Sequence, residues 1–202
     1  MMTPRENMLA ILNGEQPDYY GDFMDSLVIV PDPVLIADSC PKDGKPHPDT
    51  WGCMYEFPEG APGPHPVVTA ENAVVKDIEN WEEQMVVPSL EGLDWGPAKA
   101  VAAGVDRKEM FVAVMFGGGL FERSHHLQGM QAALENYLEY PDETAAMLRK
   151  IADYKIEYIY QMKREINPDV IFYHDDWGFK RNLFLPPRVW REIIKPLQFE
   201  IS

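Results

Sequence analysis

His174, Asp175 and Asp176 stand together in the run Asp169-Val-Ile-Phe-Tyr-His-Asp-Asp-Trp-Gly178. An imidazole and two carboxyls can donate, accept or shuttle protons near neutral pH. Val170 to Tyr173 precede them as an unbroken apolar stretch, which predicts a strand buried on both faces of a parallel sheet. In α/β folds ligands gather at the carboxyl ends of such strands. Adjacent aspartates on extended chain point to opposite sides, so at most one faces a pocket, and the other is free to cap the next loop or to pair with Arg181. Either carboxyl, Asp175 or Asp176, is a candidate acid or orienter of a bound group. His174 is a candidate metal ligand, or else a structural hydrogen-bonding residue. Trp177 either stacks on a flat ligand or packs.

Gly117-Gly118-Gly119 supply a second candidate wall. They lie between a buried-strand pattern, Phe111 to Phe116, and a helical pattern, where backbone can approach a substrate closely or offer amides to an anion. Neither GxGxxG spacing nor a Walker lysine is present, so nucleotide binding is disfavoured. Phe121 would line the same pocket. Glu122 meets the helix dipole and needs no catalytic explanation. His125 and His126 are adjacent and cannot both face one metal, which leaves surface or supporting roles. The eleven methionines need only core packing.

The elements that must hold these residues are legible in part. Thr3-Pro4-Arg5-Glu6 spells a capping box with proline at the first helical position, and Gly14 ends that helix. Tyr19 to Phe23 is a candidate strand. Nine of the eighteen prolines fall between Pro31 and Pro66, which nearly excludes regular helix there. Trp51 to Phe57 and Pro66 to Thr69 are expected strands of a small antiparallel excursion, and Asn80-Trp-Glu-Glu83 an expected capping box. Residues 120–140 read as helix broken near Gly129. A long helix starts at Pro141-Asp-Glu, with Leu148, Ile151, Tyr158, Ile159, Met162 and Ile166 at helical spacing, and ends at Asn167-Pro168. Pro186-Pro187 open a last helix.

Alternation of strand and helix predicts an α/β fold with parallel pairing. Only three or four core strands can be counted, whereas a closed barrel needs eight and typically ~250 residues. The expectation is one truncated domain over residues 1–202: the N-terminal portion of a barrel, with an irregular Pro-rich elaboration at 31–95 and a regular βα portion at 96–202. Eighteen basic against thirty-three acidic residues, net −15, argue against nucleic acid. No apolar run is long enough to span a bilayer, and the N-terminus lacks a secretory pattern. Cys40 and Cys53, thirteen apart, form neither a disulfide framework nor finger spacing. A cytoplasmic protein is the simplest reading.

Thr3-Pro-Arg-Glu-Asn, the glycine turn with Leu120-Phe-Glu-Arg, Tyr173-His-Asp-Asp-Trp-Gly178 and the helix Pro187-Arg-Val-Trp-Arg-Glu-Ile-Ile-Lys-Pro196 together resemble the uroporphyrinogen decarboxylase superfamily. The resemblance is loose over the whole chain and better over 110–202. It implies a distorted (β/α)8 barrel, and either decarboxylation or corrinoid-dependent methyl transfer. The decarboxylases carry an arginine-rich Met-Arg-Gln-Ala-Gly-Arg segment after the first strand that pairs with porphyrinogen carboxylates. The corresponding stretch here is Phe23 to Ile29, with Asp25 where the first arginine would stand, so the resemblance favours the methyltransferase branch. Asp176 aligns with a small hydroxyl residue that contacts substrate in the decarboxylases, so the resemblance makes it the candidate general acid to a leaving alkoxide, or the orienter of a bound group, with Asp175 beside it. The implied activity is transfer of a methyl group from a small methylated compound, such as a methoxylated aromatic, to a corrinoid held by a partner protein. Zinc is the implied metal, with family ligands outside the matched stretches. Asp25, Gly117 to Gly119, Phe121 and Trp177 would shape the pocket. Two alternatives stand beside it: a carboxy-lyase of the porphyrin type with a relocated carboxylate site, for which Arg123 and Arg181 are candidates, and a non-catalytic half-barrel needing a complementary chain or a homodimer.

Overall fold

The computed structural model describes residues 1–202, a mixture of helices and sheets. The chain divides into two compact units: Met1–Ile36, Gly92–Gly117 and Tyr160–Tyr173 form the first, and Ala37–Glu91, Gly118–Ile159 and His174–Ser202 the second.

The first unit is built on a parallel three-stranded sheet in chain order: Leu27–Ile29, Phe111–Phe116, Val170–Tyr173. The central strand is buried almost throughout, as expected of a strand paired on both sides. Val170–Tyr173 departs from expectation. All four residues are half-buried, because the strand has a neighbour on one side only. Helix Pro4–Leu12 carries the expected box: Thr3 Oγ1 accepts from the Glu6 amide at 3.2 Å and Glu6 Oε2 from the Thr3 amide at 2.9 Å.

Tyr19 to Phe23 is not a strand. Buried Asn7 takes the amides of Asp18 and Tyr19 on its Oδ1 (2.9 and 3.2 Å) and gives its Nδ2 to the Tyr19 carbonyl, using the groups a sheet ladder would need. The first strand starts at Leu27 instead, after a 3₁₀ turn at Phe23–Ser26. Helix Gly96–Ala103, which sequence patterning does not flag, is started by Asp94 accepting from the Gly96 amide at 2.9 Å. Asp169 ties the sheet together, accepting from the Val112 amide, Arg107 Nη1 (both 2.9 Å) and Arg5 Nη1 (3.3 Å). Arg107 also caps the carbonyls of Ile166 and Asn167, where Asn167 leaves the long helix with φ of 44°.

In the second unit the Pro-rich segment forms a small antiparallel sheet, His47–Pro48, Met54–Glu56 and His65–Pro66. Its strands are shorter than expected because side chains seize the flanking backbone. Asp49 Oδ1 accepts from the amides of Trp51 and Cys53 around Gly52, whose φ is 82°. Asn72 takes the Thr69 amide at 2.7 Å. Contrary to expectation, a five-residue helix, Pro33–Ala37, does occur inside the Pro31–Pro66 stretch, mostly in the first unit, with its own proline at the tolerated first position. The expected Asn80 box is absent. Asp77 caps the turn Ile78–Asn80, and Gln84 bonds four backbone groups between Lys76 and Asn80.

Helices Leu120–Gln128 and Met130–Glu139 break at Gly129, with φ of 86°. Helix Pro141–Glu165 follows, burying Met147, Leu148, Ile151, Tyr158 and Met162 completely. After the hairpin Gly178–Phe179/Asn182–Leu183, the last helix begins at Pro187 and widens into a π-helical turn at Trp190–Ile194. No helix is long and apolar enough to cross a membrane.

Candidate functional site

The residues after the second and third sheet strands meet in the second unit. Asp175 is the clasp. Its Oδ1 accepts the Glu122 amide at 3.0 Å, and its Oδ2 accepts the Phe121 amide at 3.1 Å and Trp177 Nε1 at 2.7 Å. A carboxylate is thereby fixed over the first turn of helix Leu120–Gln128, whose free amides attract an anion. Burial nevertheless holds the Asp175 carboxyl above the usual aspartate range, although the three donors pull it down. The approach also requires glycine at 119, because a Cβ there would overlap the Asp175 side chain.

Glu122 completes the arrangement and is the residue that sequence reasoning set aside. Its Oε2 accepts from the Gly119 amide at 3.2 Å and lies 3.3 Å from His174 Nδ1. The other ring nitrogen of His174 lies 3.6 Å from Asp176 Oδ1. Side-chain exposure climbs from 16% at Glu122 through 47% at His174 to 68% at Asp176. An imidazole thus stands between a sheltered carboxyl and a solvated one. Burial raises the Glu122 pKa above the ordinary glutamate value, opposed by the Gly119 amide and by His174. The sequence signal for Glu122 was its position three residues after a helix-capping glycine; its second partner, 52 residues later, left no local trace.

The other sequence candidates separate. Gly118, with φ of 64°, sits in the same unit. Asp25 and Gly117 belong to the first unit, and Asp25 is engaged locally, accepting from the Asp22 amide at 3.2 Å. Arg123, one candidate for a relocated carboxylate site, is buried and committed. It pairs with Asp49, lies 3.6 Å from Cys53 Sγ and covers the Trp51 ring at 5.2 Å. Burial works against its charge, and Asp49 overrides that and keeps the guanidinium ionised. Burial pushes the Cys53 thiol up to about 12, so it is inert.

His126 is not at the surface. It is buried, with Nδ1 2.8 Å from the Tyr55 hydroxyl. Half-buried His125 packs on Phe121 with ring centroids 5.3 Å apart. Burial lowers the two imidazoles to about 2 and about 4, respectively. Around His174, no group of three or more His, Cys, Asp or Glu side chains is placed to hold a metal.

Phe121 and Trp177 flank the carboxyl cluster in sequence and line an apolar cavity of about 280 Å³ with Leu183, Leu185, Trp190 and Ile194. Compared with known proteins, the chain matches no family, no curated protein and no solved structure.

Proposed function

We propose that this chain is a methyltransferase-like member of the uroporphyrinogen decarboxylase superfamily, contributing the N-terminal portion of its barrel. One observation carries the reading. Two neighbouring parallel strands, added to the sheet in chain order, each run directly into segments that lock together as the Glu122–His174–Asp175–Asp176 cluster. Polar groups at the carboxyl ends of successive parallel strands are how barrel enzymes build their sites.

In this reading a small methylated compound, such as a methoxylated aromatic, lies beside Phe121 and Trp177. Breaking the CH₃–O bond sends the methyl group to the acceptor and leaves an oxyanion that must gain a proton. Asp176 donates it, and His174, between Asp176 and Glu122, restores the donor. Asp175 holds the first turn of the helix in register. A 280 Å³ cavity is too small for a corrin macrocycle, so the methyl acceptor would be a corrinoid presented by a cytoplasmic partner protein.

The porphyrin-type carboxy-lyase is disfavoured by the commitment of Arg123 to Asp49 and by Asp25 standing where an arginine would be needed. The half-barrel reading draws support from a different observation. Val170–Tyr173 is a sheet edge, the kind of surface that accepts a strand from a second polypeptide or a second copy.

The test is to incubate the full chain with cob(I)alamin and a panel of methoxylated aromatics and to follow the demethylated phenol by chromatography. Acceptor-dependent product that falls at least about tenfold in Asp176→Asn, whose exposed side chain is no part of the core, supports the proposal. Absence of product across the panel, with the chain folded, overturns it. A compact, soluble monomer by size-exclusion chromatography would count against the half-barrel alternative.

A further inference from the structure

We infer that the aromatic cavity of the second unit is a binding site for a small, single-ring aromatic anion. The inference rests on the methyl-transfer reading for its catalytic meaning, since it names the kind of molecule the donor would be, but the binding stands on the cavity alone. The walls are Phe121, Trp177 and Trp190 with Leu183, Leu185 and Ile194, enclosing about 280 Å³. Ligand pockets usually span about 300–1,000 Å³, so this one suits a molecule at the smallest end, one substituted ring. The Trp177 and Trp190 rings lie 4.9 Å apart and tilted by 59°. No ring can enter between them, but the pair offers a broad π-face against which a planar ligand can lie.

The charge requirement comes from Arg191, the one charged residue on the wall. Its neighbours pair with each other, Arg188 Nη1 with Glu192 Oε2 at 2.7 Å, while the Arg191 guanidinium makes no ion pair or hydrogen bond. An unengaged guanidinium at the mouth of an apolar cavity selects a carboxylate or phenolate, which it can meet bidentately. Such a site stands out in a chain of net charge −15, whose average field repels anions.

Backbone geometry supplies an independent reason. Trp190, Arg191 and Ile194 all come from the π-helical turn Trp190–Ile194. Such turns are rare and concentrate at functional sites, because the widened turn re-aims side chains that an α-helix would place elsewhere. Trp190 also carries a buried indole N–H with no partner within the chain. An orphan donor of this kind calls for an explanation.

The experiment is a titration of the full chain with benzoate and with its neutral analogue benzamide, read by tryptophan fluorescence. Expected is saturable quenching that favours benzoate, with Arg191→Gln weakening benzoate about tenfold, roughly 1.4 kcal/mol, and leaving benzamide unchanged. Arg191 is exposed, so the variant keeps the fold. Equal affinity for the two ligands, unaltered benzoate binding in Arg191→Gln, or a fluorescence change that tracks protein concentration through self-association would each overturn the inference. Benzoate binding without demethylation of any methoxylated aromatic leaves this inference standing and sinks the proposed function. Demethylation of a neutral methoxyarene without benzoate binding does the reverse.

Discussion

Lowering the pH from 8 to 5 should remove much of the second unit's stability, and the cause would be two histidines rather than the carboxylates. His126 is buried against Tyr55 and His125 is packed on Phe121. Burial drops their pKa values to about 2 and about 4, against 6.5 when free. A depressed imidazole contributes stability that is complete above 6.5 and drains away as the pH falls, because the unfolded chain binds protons that the folded one refuses. At pH 5 the unfolded chain is 1.5 units below its midpoint, so each imidazole costs about 2 kcal/mol at 1.36 kcal/mol per unit, about 4 kcal/mol for the pair. That is a large share of a typical domain's stability of about 5–15 kcal/mol. The assay is urea denaturation followed by tryptophan fluorescence at half-unit steps from pH 8 to 5. His126→Gln should halve the slope of stability against pH, whatever it does to absolute stability. A flat profile in the parent chain, or an unchanged slope in His126→Gln, would refute the account of these rings as neutral and desolvated.

Three further outcomes follow from the same geometry. Glu122→Gln should be more stable than the parent at pH 7 and lose that advantage below about 4.5, since a carboxyl with a raised folded pKa opposes folding once it must ionise; the same urea series would measure it, and a loss of stability at pH 7 would contradict it. Gly119→Ala should cost at least about 1–3 kcal/mol by overpacking against Asp175, and Asp175→Gly in the same chain should restore part of the loss in a double-mutant cycle. Arg123→Gln should cost about 3–5 kcal/mol, because Asp49 would be left buried and unpaired; a change under about 1 kcal/mol by thermal or chemical denaturation would show that water reaches the pair.

What the sequence made legible was what local chemistry determines. The Phe111–Phe116 strand, the Thr3 box, the break at Gly129 and the start of the long helix at Pro141 each rest on residues within one or two turns. Misreadings arose where a distant side chain captured backbone. Asn7 turned Tyr19 to Phe23 away from a strand, and Asp49 shortened the one around Trp51. The hairpin at Gly178–Leu183 carries no sequence pattern because each arm is two residues long, too short for any period to show. In the candidate site, Asp175 and Asp176 are adjacent in sequence yet part company, one clasping a helix and the other solvated. Which aspartate takes which role depends on where the amides of residues 121 and 122 lie, more than fifty positions away in the chain.

The clasp has a consequence for how the polypeptide matures on the ribosome. The helix beginning at Leu120 has only a glycine before it, and the amides of Phe121 and Glu122 are satisfied by a carboxylate 54 and 53 positions downstream. Until that distant aspartate has emerged and docked, the opening turn of the helix should fray. Nascent chains stalled before residue 175 would expose the glycine hinge to protease, and those stalled well beyond it would be protected.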